Sequence, residues 1–355
     1  MLPRGAGASI VLGSPAGHRH VFMRFTIVTP CFNGVRFIDE TILSVVAQAG
    51  SFTIRYHVQD GGSTDGTLDK LAHWKALLEN GFPLLCGGVE FSYASAPDRG
   101  MYSAIKAGFE HCGDGDVMAW INADDRFEPG AFQLVSHVLE RFADIDWLSG
   151  RITIMDETGT PLLALPIVPF PRQAIAAGVF DGRHWPSFIQ QEGSFWRPRL
   201  WQAVGGVDAE LRLAGDFDLW RRFAGHADLV AVDAVLGCFR RHKSQATSSL
   251  TAYHAEIERL LSPADTAKRA AVTSAWADMT SPRALRAAGF TYRAVRRRDS
   301  GDWACRRYVA LDPDAPLTWR NLPLLLWAAR RRLPLNFSFR RLLQRARDAR
   351  RPGAS

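Results

Sequence analysis

Several large protein classes are excluded by what this chain lacks. Its five cysteines (Cys31, Cys86, Cys112, Cys238 and Cys305) are scattered, odd in number and include no C-x-x-C pair. Neither a zinc site nor a disulfide framework is expected, and a reducing compartment fits best. No apolar run approaches the roughly 20 residues that span a bilayer, and the apolar patch in the first 20 residues is too short for a secretory signal. G-x-G-x-x-G does not occur, which argues against a dinucleotide-dependent dehydrogenase. Internal repeats and RNA- or DNA-binding signatures are absent too. Lysine is missing from residues 281–355, which carry 18 Arg and 5 acidic residues, a balance of +13. Residues 1–280 hold 25 basic and 31 acidic residues, a balance of −6, so the tail alone makes the protein basic.

What is present is a β/α rhythm in an ordinary globular composition, 47% apolar and 22% charged. "RFTIVTP" (24–30), "FTIRYHV" (52–58), "VEFSYAS" (89–95) and "DVMAWIN" (116–122) are strand-like. Between and after them lie segments with helical spacing, stopped by Gly50 and Gly81 or opened by Pro129. Alternation of this kind predicts a mainly parallel sheet flanked by helices, with ligands beyond the carboxyl ends of the strands. The clusters "TPCFNG", "QDGGSTDG", "SAPDRG" and "NADD" all fall there. After residue 150 the rhythm breaks: "RITIMDETGTPLLALPIVPF" predicts a hairpin and a Pro-rich connector. From about 252 onward the chain is expected to be helical.

Four clusters carry chemistry, each with a plain structural alternative. The adjacent Asp124 and Asp125 are either a solvated turn or a site for something cationic, since like charges side by side repel. "QDGGSTDGT" allows close backbone approach to a ligand at its glycines, while Asp65 and Thr67 suit a helix cap. In "LAGDFDLWRR", Asp216 is either a helix cap or a base, with Asp218 as its competitor. "CFRRH" is either a solvated charge run or a diphosphate site.

Seven pieces occur in a fixed order: "FTIVTPCFNG", "VQDGGSTDGT", "DRGMYSAIKAG", "WINADD", "QQEGSFWR", "GDFDLWRR" and "FRRH". Together they resemble family 2 glycosyltransferases of the GT-A fold, closest to bacterial enzymes that build cell-surface polysaccharide, over roughly residues 24–245. The resemblance implies a Rossmann-like nucleotide-sugar-binding domain that transfers a sugar, with inversion, from a nucleoside diphosphate (UDP, GDP or dTDP) to a hydroxyl of a glycan or lipid-linked acceptor. It implies nucleotide contact for Thr29, Pro30, Asp60 and Asp98, and Mg2+ or Mn2+ at Asp124, with Asp125 as a second ligand. It implies catalytic base duty for Asp216 and diphosphate contact for Arg240 and His242. Carboxylates grip sugar hydroxyls and aromatic faces their C–H surfaces, which suits Glu192 and Trp196 to sugar or acceptor contact, with a place in the core as the commoner alternative for Trp196. Two positions depart from the family pattern, Asn122 and Gly215, each standing where a carboxylate is common. A catalytically silent nucleotide-binding protein, or another nucleotide-sugar-using enzyme, is the alternative these departures leave open.

The expected organisation is a disordered extension over 1–23, with Met23 a candidate start, a GT-A domain over 24–250, and a helical Arg-rich region over 251–355. The Leu-, Trp- and Arg-rich tail suits peripheral contact with an anionic membrane surface. With cytosolic nucleotide sugars, the active site would face the cytoplasm, and no nucleic acid is expected as a partner.

Overall fold

A computed structural model describes residues 22–184, 187–242, 250–278 and 290–309. The first half follows the expected rhythm: β1 (Met23–Cys31), α1 (Ile38–Val46), β2 (Phe52–Asp60), α2 (Thr67–Glu79), β3 (Val89–Ser95), α3 (Met101–Cys112), β4 (Val117–Trp120), the two-residue β5 (Arg126–Phe127) and α4 (Ala131–Arg141). The expected hairpin is β6 (Trp147–Met155) and β7 (Pro161–Ala164). Short elements follow: α5 (Arg172–Ala176), a 3-10 turn (Gln191–Gly193), β8 (Ser194–Trp196), α6 (Pro198–Val204), α7 (Gly215–Phe223) and β9 (Leu229–Arg240). Helices α8 (Leu250–Leu260) and α9 (Pro263–Asp278) and the hairpin β10 (Thr291–Arg297) and β11 (Trp303–Val309) complete the described chain.

All eleven strands form one sheet, in the order β11-β10-β9-β6-β8-β4-β1-β2-β3, with β5 beside β9 and β7 beside β6. Strand β1 is parallel to β2 on one side and to β4 on the other. The strand order therefore reverses at β1, and a crevice opens beyond Cys31 and Trp120, where open α/β sheets bind ligands. Strand β8 enters antiparallel between β4 and β6.

Strand alternation sends side chains to two cores. Phe25, Ile27, Val117, Ala119 and Phe195 meet α1, α2 and α4 on one face. Val28, Met118, Trp120, Trp147 and Trp196 meet α3, α5, α6 and α7 on the other, with Trp120 and Trp220 stacked at 5.4 Å.

One expectation needs correction. The region after 251 is not helical throughout: among its described residues, β10 pairs parallel with β9 and the β10–β11 hairpin widens the same sheet. Tyr292 and Ala294 are buried on one face and Val295 on the other, as in a strand covered on both sides, while Arg293 and Arg296 are only partly buried. The expected N-terminal extension and the membrane-contact tail beyond 309 lie outside the described residues. Among the described residues, no helix is long and apolar enough to cross a membrane.

Candidate active site

Backbone and carboxylates knit the strand ends together. Asp60 is fully buried at the end of β2 and accepts from Gly62 N (3.0 Å), Ser63 N (2.9 Å), Ser95 Oγ (2.7 Å) and Ser63 Oγ. Gly61 donates to the Cys31 carbonyl of β1 at 2.8 Å. A Cβ on Gly61 would lie 3.0 Å from Asp98 Oδ2, so glycine here gives the Asp98 carboxyl room against the end of β2. Asp60 and Asp98, far apart in sequence, thus meet across one glycine. Thr29 is buried and hydrogen-bonded to Tyr56 Oη at 3.0 Å, and Pro30 is buried beside it. Their side chains support the crevice floor. Asp65 stands one residue before Gly66, the N-cap of α2, so it is not the cap itself; it accepts from Thr67 N (3.0 Å) and holds Val35 N (3.1 Å). These bonds keep its carboxyl below the usual range.

The two adjacent carboxylates diverge. Asp125 turns inward, 1% exposed, and accepts from Arg240 N (2.9 Å), Asn122 Nδ2 (3.3 Å) and Gln191 Nε2 (3.4 Å). Burial, with Asp124 and Glu192 adding like charge, pushes its pKa well up. Glu192 is buried beside it, takes Gln191 Nε2 at 2.8 Å, and is raised to about 7, chiefly by burial. Asp124 faces outward, partly exposed, with Oδ2 2.7 Å from His242 Nε2.

Arg240 is fully buried behind the acidic turn. Its Nε donates to the Asp124 carbonyl (2.8 Å), its Nη1 to the Glu157 carbonyl (3.2 Å) and its Nη2 to Glu40 (2.7 Å), and the guanidinium lies 4.5 Å over the Phe37 ring. It braces the turn from behind, while His242 meets the carboxylate that faces out. Trp196 needs correction as a sugar platform: it is fully buried among Trp120, Trp201, Trp220 and Phe223, with no surface to offer a ligand.

Whether the acidic turn fits a divalent cation is a question of donors. Among the described residues, no three His, Cys, Asp or Glu side chains gather as a metal-ligand cluster. Asp124 offers an outward carboxylate, and behind it the buried Asn122 Oδ1 has no hydrogen-bond partner. One carboxylate and one amide oxygen suit a hard cation whose other ligands come from substrate phosphate and water. Asp125, turned inward, is not presented as a second ligand.

Asp216 lies in the first turn of α7, which has no side-chain cap, so the helix-cap alternative does not describe it. Its Oδ1 accepts from Phe217 N (2.7 Å) and faces Tyr102 Oη (3.2 Å). Burial raises its pKa to about 6, and the Glu256 charge adds to the rise. It lines a pocket with Phe180, Phe188, Trp220, Arg221 and Tyr253. Phe188 lies only four residues before Glu192, so one short segment runs from the Asp216 pocket to the acidic turn. Gly215 fits because its Cα rests on the Tyr102 ring; a Cβ there would come within 2.6 Å of ring carbon. A side chain before Asp216, carboxylate or other, would therefore have to displace the Tyr102 ring.

Residues 26–192 match the family model of glycosyl transferase family 2. That stretch of the chain is a glycosyltransferase family 2 region. This glycosyltransferase is 26% identical over 216 residues to an uncharacterized glycosyltransferase of Mycobacterium tuberculosis, covering 59% of this chain and 72% of that one. It is 24% identical over 239 residues to another of Rickettsia prowazekii, covering 67% and 70%. Among solved structures, it is similar to Staphylococcus aureus TarS in complex with UDP-GlcNAc, at 14% identity and a TM-score of 0.49, covering 70% and 69%. Its sheet is mainly parallel with helices on both faces, as the β/α rhythm predicts. Tyr102, Glu40 and Glu256 were missed as site residues. Tyr102 stands inside the motif "DRGMYSAIKAG", but its partner lies 114 residues away, a distance no local pattern spans.

Proposed function

We propose that this glycosyltransferase moves a sugar, with inversion, from a nucleoside diphosphate donor to an acceptor hydroxyl, with Asp216 as the general base. The observation that carries this reading is a carboxyl group with few donors, raised to about 6, in a pocket joined by one short segment to the acidic turn at the sheet's switch point. A single displacement needs one carboxylate on the acceptor side to take the hydroxyl proton, ionised at working pH and basic enough to accept it. Tyr102 Oη orients that carboxylate. Aromatic walls at Phe180, Phe188 and Trp220 exclude water from the proton's path.

At the donor end, the crevice floor at Thr29 and Pro30 and the Asp60–Asp98 junction face the nucleoside. Asp124 and Asn122 would hold Mg2+ or Mn2+, which supplies Lewis-acid stabilisation of the leaving diphosphate. His242, beside Asp124, adds a hydrogen-bond donor toward the same oxygens, and the buried Arg240 keeps the turn in shape. Glu192, retaining its proton to about pH 7, is buried beside Asp125 and Gln191 and braces the turn from within rather than meeting the sugar as expected. The resemblance to polysaccharide enzymes and the basic tail favour a glycan or lipid-linked acceptor at the cytoplasmic face of a membrane.

Calorimetric titration of UDP, GDP and dTDP, with and without Mn2+, on the parent and on Asp124→Ala tests the donor half. Metal-dependent binding of one nucleotide, lost in the variant, is the expected result. Binding indifferent to both metal and substitution would overturn it.

A further inference from the structure

Helix α8 begins beyond the stretch that matches the family, yet one of its side chains reaches the base loop. Glu256 accepts three consecutive backbone N–H groups: Oε1 from Arg212 (3.1 Å), and Oε2 from Leu213 and Ala214 (2.7 Å each). These are the residues leading into α7 and Asp216. On the other side of the same segment, Tyr102 Oη donates to the Leu213 carbonyl at 3.1 Å. The Leu213 peptide is therefore gripped at both its N–H and its C=O, from α8 and from α3. The grip is backed by packing, since Ala214 and Phe217 share a small core with Ile257 and Leu261 of α8. A carboxylate accepting several amides is held by short, charge-assisted bonds.

We infer that Glu256 is a positioning residue: it fixes the 212–214 segment, and through it Asp216, at the acceptor side of the site. This inference rests on the reading of Asp216 as base. Its second effect is electrostatic. A like charge disfavours ionisation, so Glu256 adds to burial in raising the Asp216 pKa. The groups facing Asp216 are Tyr102 from α3, Glu256 and Tyr253 from α8, and Arg221 along α7 itself. Among these Glu256 is the one carboxylate, so its removal has a defined sign.

The test reads Asp216 directly and requires no substrate. In protein labelled with 13C at aspartate carboxyl carbons, the Asp216 signal is the one missing from Asp216→Asn. Its midpoint should lie near pH 6 in the parent and move down by about half a unit or more in Glu256→Gln, which retains an acceptor for Leu213 and Ala214. Hydrogen exchange on the parent supplies a measurement free of folding defects. The Leu213 and Ala214 amides should be protected, and in Glu256→Ala they should exchange faster while the α3 amides do not. An unmoved midpoint in Glu256→Gln, or unprotected amides in the parent, overturns the inference. Transfer that survives in Asp216→Asn overturns instead the reading of the base, so the two failures are told apart.

Discussion

The two ends of the cleft treat their carboxylates in opposite ways. At the carboxyl ends of β1 and β2, Asp60 and Asp65 are surrounded by amide and hydroxyl donors supplied by their own loops. Both shape the backbone, and these bonds keep the Asp65 carboxyl below the usual range. At the start of α7, Asp216 has one amide and one phenol beside it, and burial leaves it with a proton up to about pH 6. A carboxylate filled by fixed donors builds a frame, while one buried with few donors keeps its reactivity near neutral pH. The acidic turn combines both within two residues, Asp125 facing in and Asp124 facing out.

The comparison can be broken from the frame side first. Arg240→Ala removes a buried guanidinium that braces the turn and pairs with Glu40, and should cost about 3 kcal/mol or more in denaturant unfolding. A loss near zero would mean that the turn holds its shape unaided. On the acceptor side, Gly215→Ala drives a methyl into the Tyr102 ring and should cost about 1–3 kcal/mol. Turnover should fall further than donor affinity, because the strain falls on Asp216.

Much of the donor end was legible in the sequence. Strand ends at residues 31, 60 and 95 and the turn clusters after them follow from period-two alternation and glycine-rich loops, and the helix stops from Gly50 and Gly81. What escaped was whatever depends on distant partners. The opposite facings of Asp124 and Asp125 are set by Arg240, 115 residues further on. Strand β8 is three residues long, too short for any period, and β10 was obscured by its arginines. Trp196, offered to the sugar for its aromatic face, takes the alternative place in the core, and Glu256 acts on the base loop from an element without a motif.

Smaller effects sharpen the comparison. Asp60→Asn retains the shape but weakens four bonds, and should cost about 1–2 kcal/mol with nucleotide affinity falling alongside stability. The smallest effect concerns Glu192. Its pKa is raised in the folded state to about 7, so the fold binds its proton more tightly than the unfolded chain does. Stability from this group is therefore present at acidic pH and declines as pH rises toward 7. Thermal unfolding of Glu192→Gln should accordingly be less pH-sensitive between pH 5 and about 8 than that of the parent, with a higher midpoint at the alkaline end.

The most direct test measures nucleotide affinity and turnover on the same two variants, Asp124→Ala and Asp216→Asn. Turnover is followed as nucleoside diphosphate release from the sugar nucleotide that binds. Asp124→Ala should lose the Mn2+-dependent part of the affinity. Asp216→Asn should retain that affinity while turnover falls about 100-fold or more. Loss of nucleotide binding in Asp216→Asn, or turnover that persists in it, would contradict a division of the cleft into a binding end and a reacting end.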